Sequence, residues 1–159
     1  MIAEVLEYLN KYWVDTVESS AGYSFEIDGI VGSFSEDYEV GQYVSIDGSK
    51  LNDGVYKIVS KTSTKLTFAA DTFIAEDNDN TVYVWGLMIP KSVLTLISEI
   101  DTYVVTAKTG IKSESQGLRS VTYAKGSGWE DAFSSRLKKY KAMYSDKLSY
   151  YDYNINTKV

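Results

Sequence analysis

Between residues 23 and 86 the apolar residues come in short runs of strand character. On either side of that segment they recur at helical spacing. This switch of period constrains the fold more than any other feature. Alternation fits a pleated strand with one face inward, and spacing near 3.6 fits a helix with one apolar stripe. A single continuous bundle or a single sheet cannot satisfy both patterns.

The strand-like segment opens with the alternating Tyr23, Phe25 and Ile27, and Asp28-Gly29 reads as a turn. Val40, Tyr43, Val44 and Ile46 make a further run, ended by Asp47-Gly48-Ser49, and Asn52-Asp53-Gly54 reads as a tight turn. Val55, Tyr56, Ile58 and Val59, then Thr64 to Phe68, then Thr81 to Trp85 complete the set. Five or six short strands joined by Gly, Asp and Asn turns predict a small barrel or curled sheet.

Before this segment, Ile2, Val5, Leu6, Leu9, Tyr12 and Trp13 recur at helical spacing. After it, Pro90 suits a first helical turn, and Val93, Leu94, Ile97, Ile100, Tyr103 and Val104 mark an apolar face. Residues 111–128 are polar and rich in Gly and Ser, with one short alternating stretch at Val121-Thr122-Tyr123. Ser127 and Glu130 then stand at capping-box spacing ahead of Trp129, Ala132, Phe133, Leu137, Tyr140 and Tyr144. This predicts a third helix. Helix 1 is too short to be stable alone in water, which favours packing it on the later two. From residue 149 onward no helical period remains.

The expected fold is therefore α+β. A small bundle of three main helices, from 1–18 and 88–148, carries an inserted β-module at 19–87 and an extended C-terminal tail at 149–159. Charge follows the same division. Residues 15–86 hold 13 acidic and 4 basic residues, and residues 87–159 hold 11 basic and 7 acidic ones. Such asymmetry points to two units with different surfaces.

Composition narrows the chemistry. The chain has no histidine and no cysteine. The commonest general base, imidazole–zinc sites, thiolate sites and disulfides are thereby excluded. No apolar run reaches the length of a membrane span, and Met1 to Val14 lacks the pattern of a signal peptide. No catalytic, cofactor-binding or metal site is expected.

The candidate motifs agree. Asp77-Asn78-Asp79-Asn80 alternates oxygen ligands but lacks the glycine and late Glu of a calcium loop, so it reads as an Asx-rich turn. Glu36, Asp37 and Glu39 read as a solvated loop. Gly126-Ser127-Gly128 lacks the Lys-Ser/Thr of a phosphate loop and reads as a helix cap. Arg136, Lys138, Lys139 and Lys141 spread round a polar face and read as a solvated or partner-facing surface. The tail differs. Tyr150, Tyr151, Tyr153 and Ile155 are aromatic or apolar without helical period, unlike a disordered tail, and suggest a segment that orders on a partner. The 14 tyrosines suit either half-buried strands or an assembly surface.

The second half resembles a known family. The run Ile111-Lys112-Ser113-Glu114-Ser115-Gln116-Gly117-Leu118-Arg119-Ser120-Val121-Thr122-Tyr123, followed by the Trp129 helix ending in Leu137-Lys138-Lys139-Tyr140, is similar to the bacteriophage head–tail connector family. The resemblance covers roughly residues 89–145 plus helix 1. It implies a non-enzymatic virion protein at the phage neck, made in the bacterial cytoplasm. Such proteins form a homo-oligomeric ring, commonly of twelve subunits, below the portal protein, and present a surface to the next tail-completion or stopper protein. DNA in the channel would be contacted only non-specifically, and no membrane is involved. The resemblance assigns gripping of the portal or of neighbouring subunits to the 112–124 loop, with Ser120, Val121, Thr122 and Tyr123, and to the tail, with Tyr150, Tyr151, Tyr153 and Ile155. The inserted segment departs from simple members, and its Val-Ser-Ile-Asp-Gly-Ser pattern resembles small SH3-like modules of phage structural proteins. The expected alternative is a carbohydrate- or peptide-binding module, with the aromatic-rich β-domain as the binding unit on a helical scaffold. A carboxylate glycosidase is the remaining, more distant reading.

Overall fold

The computed structural model describes residues 1–69, 72–77, 80–109, 128–143 and 146–147. The chain divides into two compact units. One comprises Met1–Lys11 and Pro90–Met143, the other Tyr12–Ile89 and Tyr144–Val159.

The second unit is built of strands. In chain order they are β1 (Val14–Ser20), β2 (Ser24–Glu26), β3 (Gly29–Val31), β4 (Tyr43–Asp47), β5 (Gly54–Lys57), β6 (Ser60–Lys61), β7 (Lys65–Thr67), β8 (Glu76–Asp77) and β9 (Val82–Leu87). They form two antiparallel sheets. A four-stranded sheet runs β1-β9-β4-β5, and a five-stranded sheet runs β6-β7-β3-β2-β8. Both sheets turn apolar residues into one core. Val44, Ile46, Val82 and Val84 come from the first, and Phe25, Ile30 and Leu66 from the second. Tyr23, Phe34, Tyr38, Phe68 and Phe73 fill the core from the connections. Phe73 sits in an aromatic group, 4.6 Å from Tyr56 and 5.0 Å from Phe68 between ring centroids.

The connections are fixed by polar side chains. Asn52 is only 2% exposed. Its Nδ2 donates to the Ile74 carbonyl at 2.9 Å, and its Oδ1 accepts from the Ile74 N–H at 2.8 Å, as a neighbouring strand would. Gly48 has φ +93°, and a Cβ there would stand 2.6 Å from the Thr81 carbonyl oxygen, so the turn after β4 admits only glycine without strain.

The first unit holds α1 (Ile2–Leu9), α2 (Lys91–Thr109), two four-residue turns, α3 (Trp129–Ala132) and α4 (Ser134–Leu137), and a 3₁₀ turn (Lys138–Tyr140). Val93, Leu96, Ile97 and Ile100 are the buried stripe of α2, at i, i+3, i+4 and i+7. Val5, Leu6 and Leu9 are the buried stripe of α1. The Ala142 N–H donates to the Leu9 carbonyl at 2.8 Å, and Asn10 Nδ2 donates to the Met143 carbonyl, so the end of α1 is held by the end of this unit.

This architecture corrects the expected three-helix bundle with a closed SH3-like barrel. The described chain is mostly β, in two separate antiparallel sheets, and has one long helix, α2. Three physical reasons account for the difference. First, α1 stops at Leu9 because Asn10 takes the left-handed conformation and caps it, with its N–H on Glu7 and Leu6 carbonyls. Tyr12 and Trp13 continue the helical spacing in sequence but not in structure. Residues 14–20 instead pair with β9, from Val14 opposite Leu87 to Ser20 opposite Val82. Second, the expected third helix is broken at Phe133, whose φ of −108° and ψ of 3° interrupt the helical dihedrals. Third, the β-hairpin β2–β3 pairs Glu26 with Gly29, so its turn residues are Ile27 and Asp28. Gly29 is already strand, and β3 pairs with β7 in the second sheet rather than closing the first. No described helix is long and apolar enough to cross a membrane.

Candidate binding cleft and lysine niche of the β unit

The residues assigned to partner contact from sequence, Ser120, Val121, Thr122, Tyr123, Tyr150, Tyr151, Tyr153 and Ile155, lie outside the described residues, as does Ser127 of the capping box. Within the described residues, two polar sites of the β unit stand out, and neither was marked by the sequence.

The first is a cleft of about 290 Å³ lined by Glu18, Ser19, Ser20, Tyr23 and Ser33. Glu18 reaches it from β1, opposite Val84 of β9. Its Oε1 accepts the Ser35 N–H at 2.7 Å. Its Oε2 is shielded from water. Tyr23 forms the apolar wall. Its ring lies over Gly32, where a Cβ would come within 2.2 Å of it, and stacks on Phe34 with 5.1 Å between centroids. Burial, then the negative charge of Glu18, push the Tyr23 hydroxyl up to about 12. A side-chain hydrogen bond to Glu18 adds to the rise. Tyr38, fully buried behind Phe34, donates its hydroxyl to the Val84 carbonyl at 2.8 Å. Burial first, then Glu18, raise it further still. A carboxylate beside two protonated phenols is an acceptor site.

The second site is already occupied by the chain itself. Lys147 Nζ donates to Ser45 Oγ at 2.7 Å and to Asp47 Oδ2 at 2.8 Å. The same ammonium stands 4.2 Å from the Tyr12 ring centroid and 5.7 Å from that of Trp85. With its side chain only 13% exposed, Lys147 is held by charge, hydrogen bonds and ring faces together. Its neighbour Asp146 accepts the N–H groups of Tyr12 at 2.7 Å and Val14 at 3.1 Å, at the entrance to β1. Ser45, Asp47 and Trp85 are brought together because β4 and β9 pair Ser45 with Trp85 and Asp47 with Tyr83.

The motifs weighed from sequence take ordinary places. Asp37 Oδ2 accepts from the Ser35 hydroxyl at 3.2 Å and its N–H donates back to it, which closes an exposed turn. Of Asp77-Asn78-Asp79-Asn80, Asp77 belongs to β8, opposite Ser24, and Asn78 and Asp79 lie outside the described residues. On the helical unit Arg136 pairs with Glu99, Lys139 stands over Tyr140, and Lys141 stands over Tyr8. No signal in the sequence distinguished Glu18 or Lys147 from other charged residues, because both sites form only when distant strands meet.

No family model matches the chain, and no curated protein and no solved structure matches it either.

Proposed function

We propose that the chain is a non-enzymatic structural protein of a tailed bacteriophage, a subunit of the head–tail connector. In this reading it assembles as a homo-oligomeric ring at the neck, between the portal protein and a downstream tail-completion protein. One observation carries the reading furthest. Helix 1 and residues 90–143, nearly all of the two stretches that bear the resemblance, belong to one compact unit although Tyr12–Ile89 of the other unit intervene in sequence. A connector that has acquired an insertion is expected to keep its parent unit together in this way. The division of charge supports an assembly role, since an acidic β segment and a basic helical segment offer unlike surfaces to neighbours. The absence of His and Cys from the sequence fits a protein without acid–base or thiolate chemistry.

The alternative of an aromatic platform for sugars is less well supported by the β unit. Stacking on a sugar needs an open ring face. Tyr23, Phe25, Phe34, Tyr38, Phe68 and Phe73 are each at most 5% exposed. They are core.

Gold-labelled antibody against the chain, applied to purified virions of the phage that encodes it, tests the proposal. Label at the neck of the particle is the expected result. Virions that lack the chain altogether would overturn it.

A further inference from the structure

We propose that Asp146 and Lys147 form a clasp that opens as one piece, holds the start of β1 to the first sheet, and couples it to the C-terminal residues that follow. The two residues are adjacent and opposite in charge, and each meets a site of the opposite kind. Asp146 receives two backbone N–H groups, that of Tyr12 on Oδ1 and that of Val14 on Oδ2. These N–H groups flank Trp13, whose φ of 54° lies in the left-handed region. A bulky residue enters that region only at a cost, and N–H groups converging at such a turn make a site for an anion. The Asp146 carboxylate thus sits where it stabilises an otherwise unfavourable turn. The Trp13 carbonyl accepts the Met88 N–H at 2.8 Å, which ties the same turn to the end of β9.

Lys147 takes the other side. Its ammonium reaches Ser45 and Asp47 of β4. Those two residues alternate with Val44 and Ile46 of the core, so they stand on the face of the sheet turned away from it. Trp85, opposite Ser45 on that outer face, is only 1% exposed, and the Lys147 ammonium stands against its ring. Tyr12 belongs to both halves of the clasp. Its N–H goes to Asp146 and its ring to Lys147, so the loss of one contact loosens the other. All these groups lie in the β unit, although the hydrogen bonds span 100 to 134 positions of the sequence. The chain continues from Lys147 into the segment that carries Tyr150, Tyr151, Tyr153 and Ile155. A partner that draws on this segment therefore acts on β1 through the clasp. The inference does not depend on the connector reading, because it holds whichever partner the tail takes.

Amide hydrogen exchange of the full chain, followed by NMR at Tyr12 and Val14, tests the clasp. In the unaltered chain these two amides are expected to exchange faster than that of the fully buried Ile46, through opening of the clasp alone. Lys147→Ala keeps both oxygens of Asp146, yet it should speed exchange at Val14 about tenfold, because the two halves open together. Asp146→Ala should speed it at least as much, and the double substitution no further. Two substitutions of Trp13 test the turn. Trp13→Gly and Trp13→Ala both delete the indole, but only glycine takes the left-handed conformation freely. Exchange at Val14 should therefore be roughly tenfold slower in the glycine variant than in the alanine variant. Unchanged exchange at Val14 in Lys147→Ala, or equal exchange in the two Trp13 variants, would overturn the inference. So would Tyr12 and Val14 exchanging only together with Ile46, since the clasp would then have no opening of its own.

Discussion

The two units of this chain are made by different means. The β unit draws thirteen buried residues from both sheets and their connections into one cluster, and pins its loops with buried polar groups such as Asn52. The helical unit rests on two apolar stripes, α1 and α2, with Leu137 as the one fully buried side chain of the following short turns. A core fed from many strands tolerates irregular connections. A unit built on two stripes depends on each stripe residue.

The comparison can be broken most forcefully in the cores. Ile46→Ala in β4 removes a fully buried side chain and is expected to destabilise the β unit by about 2–5 kcal/mol. Amide exchange of β4 and β9 should report it, and equal protection in both chains would show that the cluster is not the core. Asn52→Ala removes both of the bonds that this buried side chain makes to the Ile74 backbone. It should cost about 2 kcal/mol, and the exchange of Ile74 and of β5 should rise first. Lys147→Ala empties the niche on β4 and is expected to cost about 1 kcal/mol, read as a lower midpoint in urea.

Smaller effects sharpen the same contrast. Tyr38→Phe deletes the bond to Val84 and should cost about 1 kcal/mol. Tyr23 also gives an alkaline signature. Its folded value is raised above the usual 10 to about 12, so the unfolded chain loses this proton first. The stabilisation is complete below pH 10 and is lost as pH rises through about 12. Tyr23→Phe should flatten that slope, and an unchanged slope would place its origin elsewhere. Arg136→Ala on the helical unit removes an ion pair between half-exposed side chains, and no shift in the urea midpoint is expected.

Much of the β core was legible in the sequence. Phe25, Val44, Ile46, Leu66, Val82 and Val84 sit on predicted strands and are all buried, because alternation and turn residues are local signals. The stripe of α2 was legible in part from its helical spacing, since Val93, Ile97 and Ile100 are buried, whereas Leu96 was missed and Leu94, Tyr103 and Val104 are half-buried. β1 was not. Asp15, Glu18, Ser19 and Ser20 look like a helix end or a loop, and only pairing with β9, more than sixty residues away, makes them a strand. Ile27 looked like an inward residue and is 56% exposed, since the hairpin turns one residue earlier than Asp28-Gly29 suggested. The third helix failed at Phe133, a break with no proline or glycine to announce it. The Glu18 cleft was invisible for a deeper reason. What stands beside Glu18 is set by how the fold brings distant segments together, and no residue type encodes that.

The central claim is that this chain is a ring-forming connector subunit. Negative-stain electron microscopy of the purified full chain, alone and mixed with portal, tests it most directly. The account predicts rings seated on the portal. A persistent monomer that ignores the portal and binds a glycan instead would contradict it.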